Sequence, residues 1–193
     1  VNIRDLGAKG DGFSDDTHIF QEAVEKYANI YIPQGWYIVK EPLTLKQNTN
    51  LIGLHPGTTI LLTLGGNLAF SGFGAPQLTT PQGGKNIVCG IFLNADAYNY
   101  RAVNCKWMAG EGSYMYDVKF SGHDKARFFH NGQSAVNPLE KPMSITPETH
   151  DLITRAWDNQ HWSLWITNGG GGSFRDIWTA NEYSSAGLYI SHT

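Results

Sequence analysis

Residues 5–17 read Asp5-Leu6-Gly7-Ala8-Lys9-Gly10-Asp11-Gly12-Phe13-Ser14-Asp15-Asp16-Thr17 and open the chain with a glycine-rich loop. Glycine adopts backbone conformations that other residues avoid, so this loop can turn tightly. Asp15 or Asp16 can cap a helix that begins at Thr17, because an aspartate accepts hydrogen bonds from the unpaired N–H groups of a first turn. Apolar residues then recur at the spacing of one helix face, at Phe20, Ala23, Val24 and Tyr27. The pattern predicts an amphipathic helix over residues 17–27.

Short β-strands follow the helix. Branched and aromatic residues predict strands at 29–32, 36–39, 43–45, 50–54 and 58–62, separated by corners that contain Gly, Pro or Asn. Strands this close together can form hairpins or successive sides of a coiled solenoid. Asn-Gly and Asp-Gly hairpin turns are absent from this stretch of sequence, which favours the solenoid.

The composition is typical of a turn-rich β protein. Of the 193 residues 22 are glycine, 12% are aromatic and only 16% are charged, types that suit pleated strands and tight corners. The net charge of −3 gives no electrostatic reason to expect nucleic acid or an anionic membrane surface as a partner. No apolar run in the sequence is long enough to cross a bilayer.

Cysteine and histidine spacing predicts no metal site. Cys89 and Cys105 are too few for a disulfide scaffold, so they are either two separate buried thiols or one pair. His130, His150 and His161 are too far apart in sequence to indicate a metal triad. We therefore expect neither a metal ion nor another cofactor.

Two later segments resemble each other. They are Gly112-Ser113-Tyr114-Met115-Tyr116-Asp117-Val118 and Gly171-Gly172-Ser173-Phe174-Arg175-Asp176-Ile177. Equivalent positions of stacked solenoid turns share one environment, so a solenoid predicts such an echo. Residues 72–85 and 123–162 contain few β runs, and we expect them to be loop excursions from the turns.

The opening residues carry a family resemblance when they are combined with Ile32-Pro33-Gln34-Gly35-Trp36-Tyr37 and Asn50-Leu51-Ile52-Gly53. Together they resemble the N-terminus of pectate-lyase-superfamily β-helix proteins, a group that includes family 55 glycoside hydrolases, family 28-related hydrolases and phage tailspike depolymerases. The resemblance implies an all-β fold, a right-handed parallel β-helix with three sides, as a single domain over residues 1–193. Residues 1–28 would form an N-terminal cap, whose helix covers the apolar interior of the first turn.

The resemblance also implies a function. We expect a carbohydrate-active protein, a polysaccharide-degrading glycoside hydrolase with β-glucanase-like character, that is extracellular or secreted and has a polysaccharide or oligosaccharide as its partner. A non-catalytic glycan-binding, adhesion or tailspike-type module and a polysaccharide lyase stay open as alternatives. Residues 186–191 end the sequence as a strand, and a solenoid needs a cap at both ends, so a further C-terminal β-helix portion is predicted. On the family 55 plan that portion holds the catalytic acid, and this chain supplies binding surface.

Several carboxylates are candidates for chemistry. Glycoside hydrolysis needs two carboxyl groups, and neighbouring turns about 4.8 Å apart could bring two together. Asp117 and Asp176 hold the same place in the echoed segments, although a residue repeated in this way more often forms a corner. Asp176 remains a catalytic candidate, together with Asp158 and Glu182, which lie near aromatic residues.

Late aromatic residues are the candidates for sugar binding. The apolar faces of sugar rings stack on aromatic side chains, and indole adds one polar group. The alternative for the tryptophans is a place in the core or at a corner. The substrate-binding candidates are Trp157, Trp162, Trp165, Trp178, Tyr183 and His130.

Overall fold

The computed structural model describes residues 1–63, 75–95, 102–122, 129–130, 133–134, 160–179 and 184–192. A short 3-10 helix over Ile3–Leu6 precedes helix α1 over Thr17–Lys26. The other elements of the described residues are strands: β1 (Asp11–Asp15), β2 (Asn29–Ile32), β3 (Gly35–Ile38), β4 (Leu43–Thr44), β5 (Asn50–Gly53), β6 (Thr59–Leu62), β7 (Ala75–Thr79), β8 (Ile87–Asn94), β9 (Ala102–Trp107), β10 (Tyr114–Ser121), β11 (Phe129–His130), β12 (Gln133–Ser134), β13 (Gln160–Ile166), β14 (Ser173–Thr179) and β15 (Ser184–Ile190). The helix and β2 to β6 lie where the sequence predicts them, with small shifts at their ends.

The strands stack in parallel on three faces. The first face contains β2, β5 and the N-terminal parts of β8, β10 and β14, and the second contains β1, β3, β6 and the C-terminal parts of the same three strands. The third face contains β4, β7, β9, β13 and β15 in that order. This is the geometry of a parallel β-helix, so the prediction of an all-β, three-sided solenoid is confirmed.

One residue forms the corner between the first and second faces in each of the last three turns. Gly90, Asp117 and Asp176 have φ angles of 64°, 50° and 50°, in the left-handed region that glycine prefers and aspartate tolerates. In register, the residues before this corner are Cys89, Tyr116 and Arg175, and those after it are Ile91, Val118 and Ile177. The two echoed segments therefore pair as neighbouring turns, and their shared aspartate forms the corner.

Apolar side chains fill the interior, and α1 closes it at the first turn. On the third face, one column of inward side chains is at most 2% exposed: Leu43, Leu78, Cys105 and Leu164. Phe20 and Ala23 of α1 are fully buried, and the ring of Phe20 packs edge-on against that of Tyr37 with centroids 5.6 Å apart. The apolar stripe of the helix thus covers the first turn, as expected.

Both cysteines are free thiols, so the pairing alternative is wrong, and the expected burial is confirmed for Cys105 alone. Cys105 is buried in the interior and Cys89 is half-buried. Burial raises the pKa of both thiols, and the nearby Asp117 carboxylate raises that of Cys89 further.

The expected excursion over residues 72–85 is wrong for residues 75–79. These residues form β7, which pairs in parallel with β4 and β9 on the third face. Pro76 and Gln77 interrupt the apolar pattern of this strand, and for that reason the sequence did not indicate it. Gln77 is only 2% exposed because its Nε2 donates to the carbonyl oxygens of Leu61, at 2.9 Å, and Asn94, at 3.2 Å.

Asn104 repeats this arrangement one turn further on. It is adjacent to Gln77 in register, and its Nδ2 donates to the carbonyl oxygens of Leu93, at 3.0 Å, and Ser121, at 2.9 Å. Each amide nitrogen therefore bridges two successive turns, which compensates for the burial of its N–H groups.

The expected excursion over residues 123–162 is wrong at its end, because β13 begins at Gln160 on the third face. Within the segment, β11 and β12 form a short antiparallel pair. The other residues from 123 to 159 lie outside the described residues. The described part of the chain contains no helix with the length and hydropathy to span a membrane.

Candidate functional site

The candidate binding residues that the structure describes lie on two different faces. Trp178 is in β14 on the second face, whereas Trp162 and Trp165 are in β13 on the third. His130 is in β11, where only the backbone is described. The other candidates lie outside the described residues: Trp157, Asp158, Glu182 and Tyr183.

The third-face tryptophans pack mainly against the protein itself. The ring of Trp162 stacks on that of Tyr189, with centroids 4.0 Å apart, and meets Trp165 edge-on at 5.1 Å. Lys106 Nζ lies 4.5 Å from the ring centroid of Trp165, and Trp165 Nε1 donates to Ser191 Oγ at 3.0 Å. Both tryptophans are half-buried, so their rings leave limited free area for a ligand.

Trp178 belongs to a column of side chains on the second face. The register aligns Trp36, Ile60, Phe92, Lys119 and Trp178 from turn to turn. Ile60 and Phe92 are 2% and 3% exposed, whereas Trp178 is 48% exposed. Lys119 Nζ lies between two rings, 4.4 Å from the centroid of Phe92 and 4.8 Å from that of Trp178.

More aromatic side chains are exposed on the other side of the corner. Tyr114 and Tyr116 of β10 are 50% and 48% exposed on the first face. The guanidinium carbon of Arg175 lies 5.8 Å from the ring centroid of Tyr116, and Arg175 Nε lies 3.3 Å from Asp176 Oδ2. We call this region the corner surface and define it by Tyr114, Tyr116, Asp117, Lys119, Arg175, Asp176 and Trp178.

Sequence reasoning missed four members of the corner surface: Tyr114, Tyr116, Lys119 and Arg175. The signal was present in the echo, because aligning the two segments places Tyr116 opposite Arg175 and Lys119 opposite Trp178. Exposed aromatic rings with charged groups beside them can stack on apolar faces of a ligand and hydrogen-bond its edges. The corner surface can therefore bind a ligand that has apolar faces and hydrogen-bonding edges.

The described carboxylates do not assemble a metal site. No group of three or more histidine, cysteine, aspartate or glutamate side chains that could hold a metal ion occurs in the described ranges. Asp117 and Asp176 are corner residues with left-handed backbones, and Asp176 forms an ion pair with Arg175. A catalytic role for Asp176 stays a prediction.

The N-terminal aspartates accept hydrogen bonds within the cap, and Asp15 caps the first residue of α1 as the sequence predicts. Asp15 Oδ1 accepts hydrogen bonds from the backbone N–H and the hydroxyl of Thr17. Asp16 occupies the N-cap position without a capping hydrogen bond from its side chain, and it instead accepts from the backbone N–H groups of Lys9 and Gly10. Asp11 accepts from Ser14 within its own turn.

The interactions of Asp15 predict that the free energy of unfolding decreases in acid. Burial acts to raise its pKa, but the hydrogen bonds from Thr17 and the Lys40 ammonium 3.1 Å away outweigh it and hold the pKa below the usual 3.8. The ionised Asp15 therefore contributes to the free energy of unfolding above pH 3.8, and this contribution is lost as the pH falls through the lower pKa of the folded state. Urea unfolding at a series of pH values should show this loss, and Asp15→Asn should flatten the curve. Identical curves for the two proteins would contradict the prediction.

The stacked faces and the helix over the first turn define a parallel β-helix protein. The chain belongs to the family described as rhamnogalacturonase A/epimerase, pectate lyase-like, whose model matches residues 1–192. The predicted resemblance to the pectate-lyase superfamily is confirmed.

Individual relatives match shorter stretches. Plasmin and fibronectin-binding protein A of Streptococcus pneumoniae (strain ATCC BAA-255 / R6) is 40% identical over 67 residues, which cover 32% of this chain and 9% of that protein. Mannuronan C5-epimerase AlgE2 of Azotobacter vinelandii is 39% identical over 77 residues, which cover 34% of this chain and 8% of that protein. The chain thus matches less than a tenth of the length of these relatives.

Among solved structures, the catalytic unit of the thermostable GH87 α-1,3-glucanase from Streptomyces thermodiastaticus strain HF3-3 superposes with a TM-score of 0.58. The match covers 100% of this chain and 32% of the glucanase chain, at 15% sequence identity. At this identity the match shows a shared fold.

Proposed function

We propose that this chain is the N-terminal β-helix of an extracellular carbohydrate-active protein, and that its corner surface binds polysaccharide. The observation that carries the proposal is the pair of half-exposed rings on adjacent turns, Tyr116 and Trp178, at the two sides of one corner. Lys119, Arg175 and Asp176 lie beside these rings and supply charged donors and an acceptor.

The chemistry of a sugar ring supports this assignment. Its C–H faces are apolar and its hydroxyl groups are polar, so it needs a flat aromatic surface bordered by hydrogen-bonding groups. Adjacent turns lie about 4.8 Å apart, so the ring on one turn and the polar groups on the next can contact the same sugar unit. Membership in a family described by a rhamnogalacturonase and an epimerase agrees with a saccharide ligand.

The finer proposal is a glycoside hydrolase. Asp176 is the catalytic candidate on the corner surface, Asp158 and Glu182 are candidates outside the described residues, and further groups are expected on a C-terminal portion of the protein. Two carboxyl groups about 5–5.5 Å apart would retain the anomeric configuration, and a wider pair would invert it. A hydrolase would release reducing ends from a bound polysaccharide, a lyase would release unsaturated ends, and a binding module would release neither.

The second candidate function is non-catalytic adhesion. It is favoured by the sequence similarity to plasmin and fibronectin-binding protein A, whose name describes binding without a reaction. Product release by the full-length protein separates the two functions, because only the enzyme forms new chain ends. Binding by the corner surface is expected in both cases.

The Trp178→Ala variant tests the binding surface. We expect it to weaken binding to any polysaccharide that the purified chain retains on a glycan array by about 30-fold, because an exposed aromatic anchor contributes on the order of 2 kcal/mol. Trp165→Ala tests the third-face candidates in parallel. Its loss of glycan affinity should be smaller than that of Trp178→Ala, because the Trp165 ring is packed against Trp162. Titration calorimetry measures both affinities.

Two outcomes would contradict the proposal. If the chain retains no glycan, the proposed function is wrong. If Trp165→Ala removes binding and Trp178→Ala does not, the binding surface is on the third face, with Trp162 and Trp165. Circular dichroism spectra of both variants should match the parent spectrum, which controls for folding.

A further inference from the structure

The corner between the second and third faces differs in length from turn to turn. In the first turn residues 39–42 alone join β3 to β4. In the next three turns the same corner contains residues 63–74, 95–101 and 122–159, and we call these three segments the long connections. A short segment is therefore enough to cross this corner, and in the later turns the two ends of a longer segment have to be held in place.

Gln77 joins the two ends of the first long connection. It lies in β7, directly after the connection, and its Nε2 donates to the carbonyl oxygen of Leu61 in β6, directly before it, at 2.9 Å. The second hydrogen bond of Nε2, at 3.2 Å, goes to the carbonyl oxygen of Asn94 in the next turn. That oxygen also accepts from the backbone N–H of Thr63 at 2.9 Å, so it receives one donor from each end of the connection.

Asn104 makes the equivalent contacts for the second long connection. Its Nδ2 donates to the carbonyl oxygen of Leu93, in β8, at 3.0 Å. It also donates to the carbonyl oxygen of Ser121 at 2.9 Å, and that oxygen accepts from the backbone N–H of Ala95 as well. Ser121 is the last residue of β10, so the same bond fixes the chain where the connection over residues 122–159 begins.

We propose that Gln77 and Asn104 are positioning residues that hold the ends of the long connections, so that each connection leaves the β-helix at a fixed point. Among the described residues, the hydrogen-bond ladder of the second face ends at the N–H groups of Thr63 and Ala95 in these two turns. The last bond of a ladder opens more readily than the bonds inside it. An amide that donates to the same carbonyl oxygen keeps this acceptor in place, because a carbonyl oxygen has two lone pairs.

A buried amide is suited to this role. Its nitrogen carries two N–H groups, which can reach the carbonyl groups of two turns about 4.8 Å apart. Gln77 is 2% exposed and Asn104 is fully buried, so water does not compete for these bonds. The opposing effect is entropy, since a connection gains conformational freedom when its ends separate, and this gain increases with its length. The amides therefore matter most where the connections are long.

Amide hydrogen exchange, followed by NMR at single residues, tests the proposal. Gln77→Leu and Asn104→Leu remove the donors and keep a side chain at each position. We expect Gln77→Leu to accelerate exchange of the Thr63 N–H about tenfold or more, because the end of the ladder then opens locally. Asn104→Leu should accelerate exchange of the Ala95 N–H to the same extent, and it should leave that of Thr63 within about twofold of the parent chain.

Asn86 provides the matched control. It is a fully buried amide whose Nδ2 donates at 2.8 Å to the carbonyl oxygens of both Lys46 and Thr49, at the corner between the third and first faces. Asn86→Leu thus removes the same number of hydrogen bonds at a corner without a long connection. It should leave exchange of the Thr63 and Ala95 N–H groups within about twofold of the parent chain.

The buried Met115, on the first face, separates local opening from a general loss of stability. Equal acceleration of the Ala95 and Met115 N–H groups in Asn104→Leu would overturn the proposal, and so would unchanged exchange at Ala95. If Asn104→Leu does not fold, Asn104→Ser replaces it and the same comparisons apply, because Ser163 is the register neighbour of Asn104 in the next turn. These measurements involve no glycan, so their outcome is independent of the proposed function.

Discussion

Replacement of Trp107 by alanine is expected to reduce the free energy of unfolding by about 3–5 kcal/mol, the range typical of large aromatic deletions in a core. Trp107 is fully buried on the third face, and its ring packs edge-on against Phe174 with centroids 5.4 Å apart. Its Nε1 donates to the carbonyl oxygen of Gly171 at 2.8 Å. The substitution thus leaves a cavity and a carbonyl group without its donor.

Urea denaturation measures this loss, and two variants separate its parts. Trp107→Phe keeps most of the ring volume but removes the indole N–H, so it should lose only about 1–2 kcal/mol. Trp178→Ala removes the same type of side chain from an exposed position and should change stability by less than about 1 kcal/mol. Equal losses for Trp107→Ala and Trp178→Ala would contradict the buried position of Trp107.

Replacement of Asp16 by alanine is expected to cost about 3 kcal/mol of unfolding free energy. Asp16 is 1% exposed, and its two carboxylate oxygens accept from the backbone N–H groups of Lys9, at 2.8 Å, and Gly10, at 2.9 Å. A hydrogen bond to a charged group contributes about 1.5–3 kcal/mol, and the substitution leaves the N–H groups of Lys9 and the buried Gly10 without this acceptor. The N-terminal loop should therefore separate from the start of α1.

The other aspartates of the motif provide the matched control for Asp16. Asp11→Ala removes an acceptor whose hydrogen bonds stay within residues 11–14, so it should cost less than Asp16→Ala. Asp16→Asn keeps one acceptor oxygen but directs an amide group at the second N–H. Its loss of unfolding free energy should therefore lie between those of Asp11→Ala and Asp16→Ala. Thermal and urea unfolding measure the series, and a loss for Asp11→Ala that exceeds that for Asp16→Ala would contradict the assignment.

The sequence predicted the cap and the early turns well because their signals are local. The apolar stripe of Phe20, Ala23 and Val24 requires only the helical period, and each strand from β2 to β6 lies between recognisable corners. Prediction failed at β7, where Gln77 is polar yet 2% exposed. Its burial depends on the carbonyl groups of Leu61 and Asn94, which belong to other strands. These carbonyl groups cannot be inferred from the apolar pattern of the residues around Gln77.

The candidate site was predicted only in part. Trp178 and Asp176 belong to the corner surface, and Trp162 and Trp165 lie on another face, although all four are close together in the sequence. The corner at residues 167–172, where Asn168, Gly169 and Gly172 have positive φ angles, directs the chain from the third face to the first, and the left-handed Asp176 then directs it to the second. Sequence distance therefore does not indicate which aromatic side chains share a surface.

The sequence by itself determined the class of fold, the helical cap and the equivalence of the segments around Asp117 and Asp176, since these depend on interactions within a turn or on a repeated pattern. Only the tertiary structure decided that Lys119 lies between Phe92 and Trp178. The reason is physical: the turns differ in length, so the residues that stack on one another are fixed by the hydrogen-bond register between turns and not by a constant spacing along the chain.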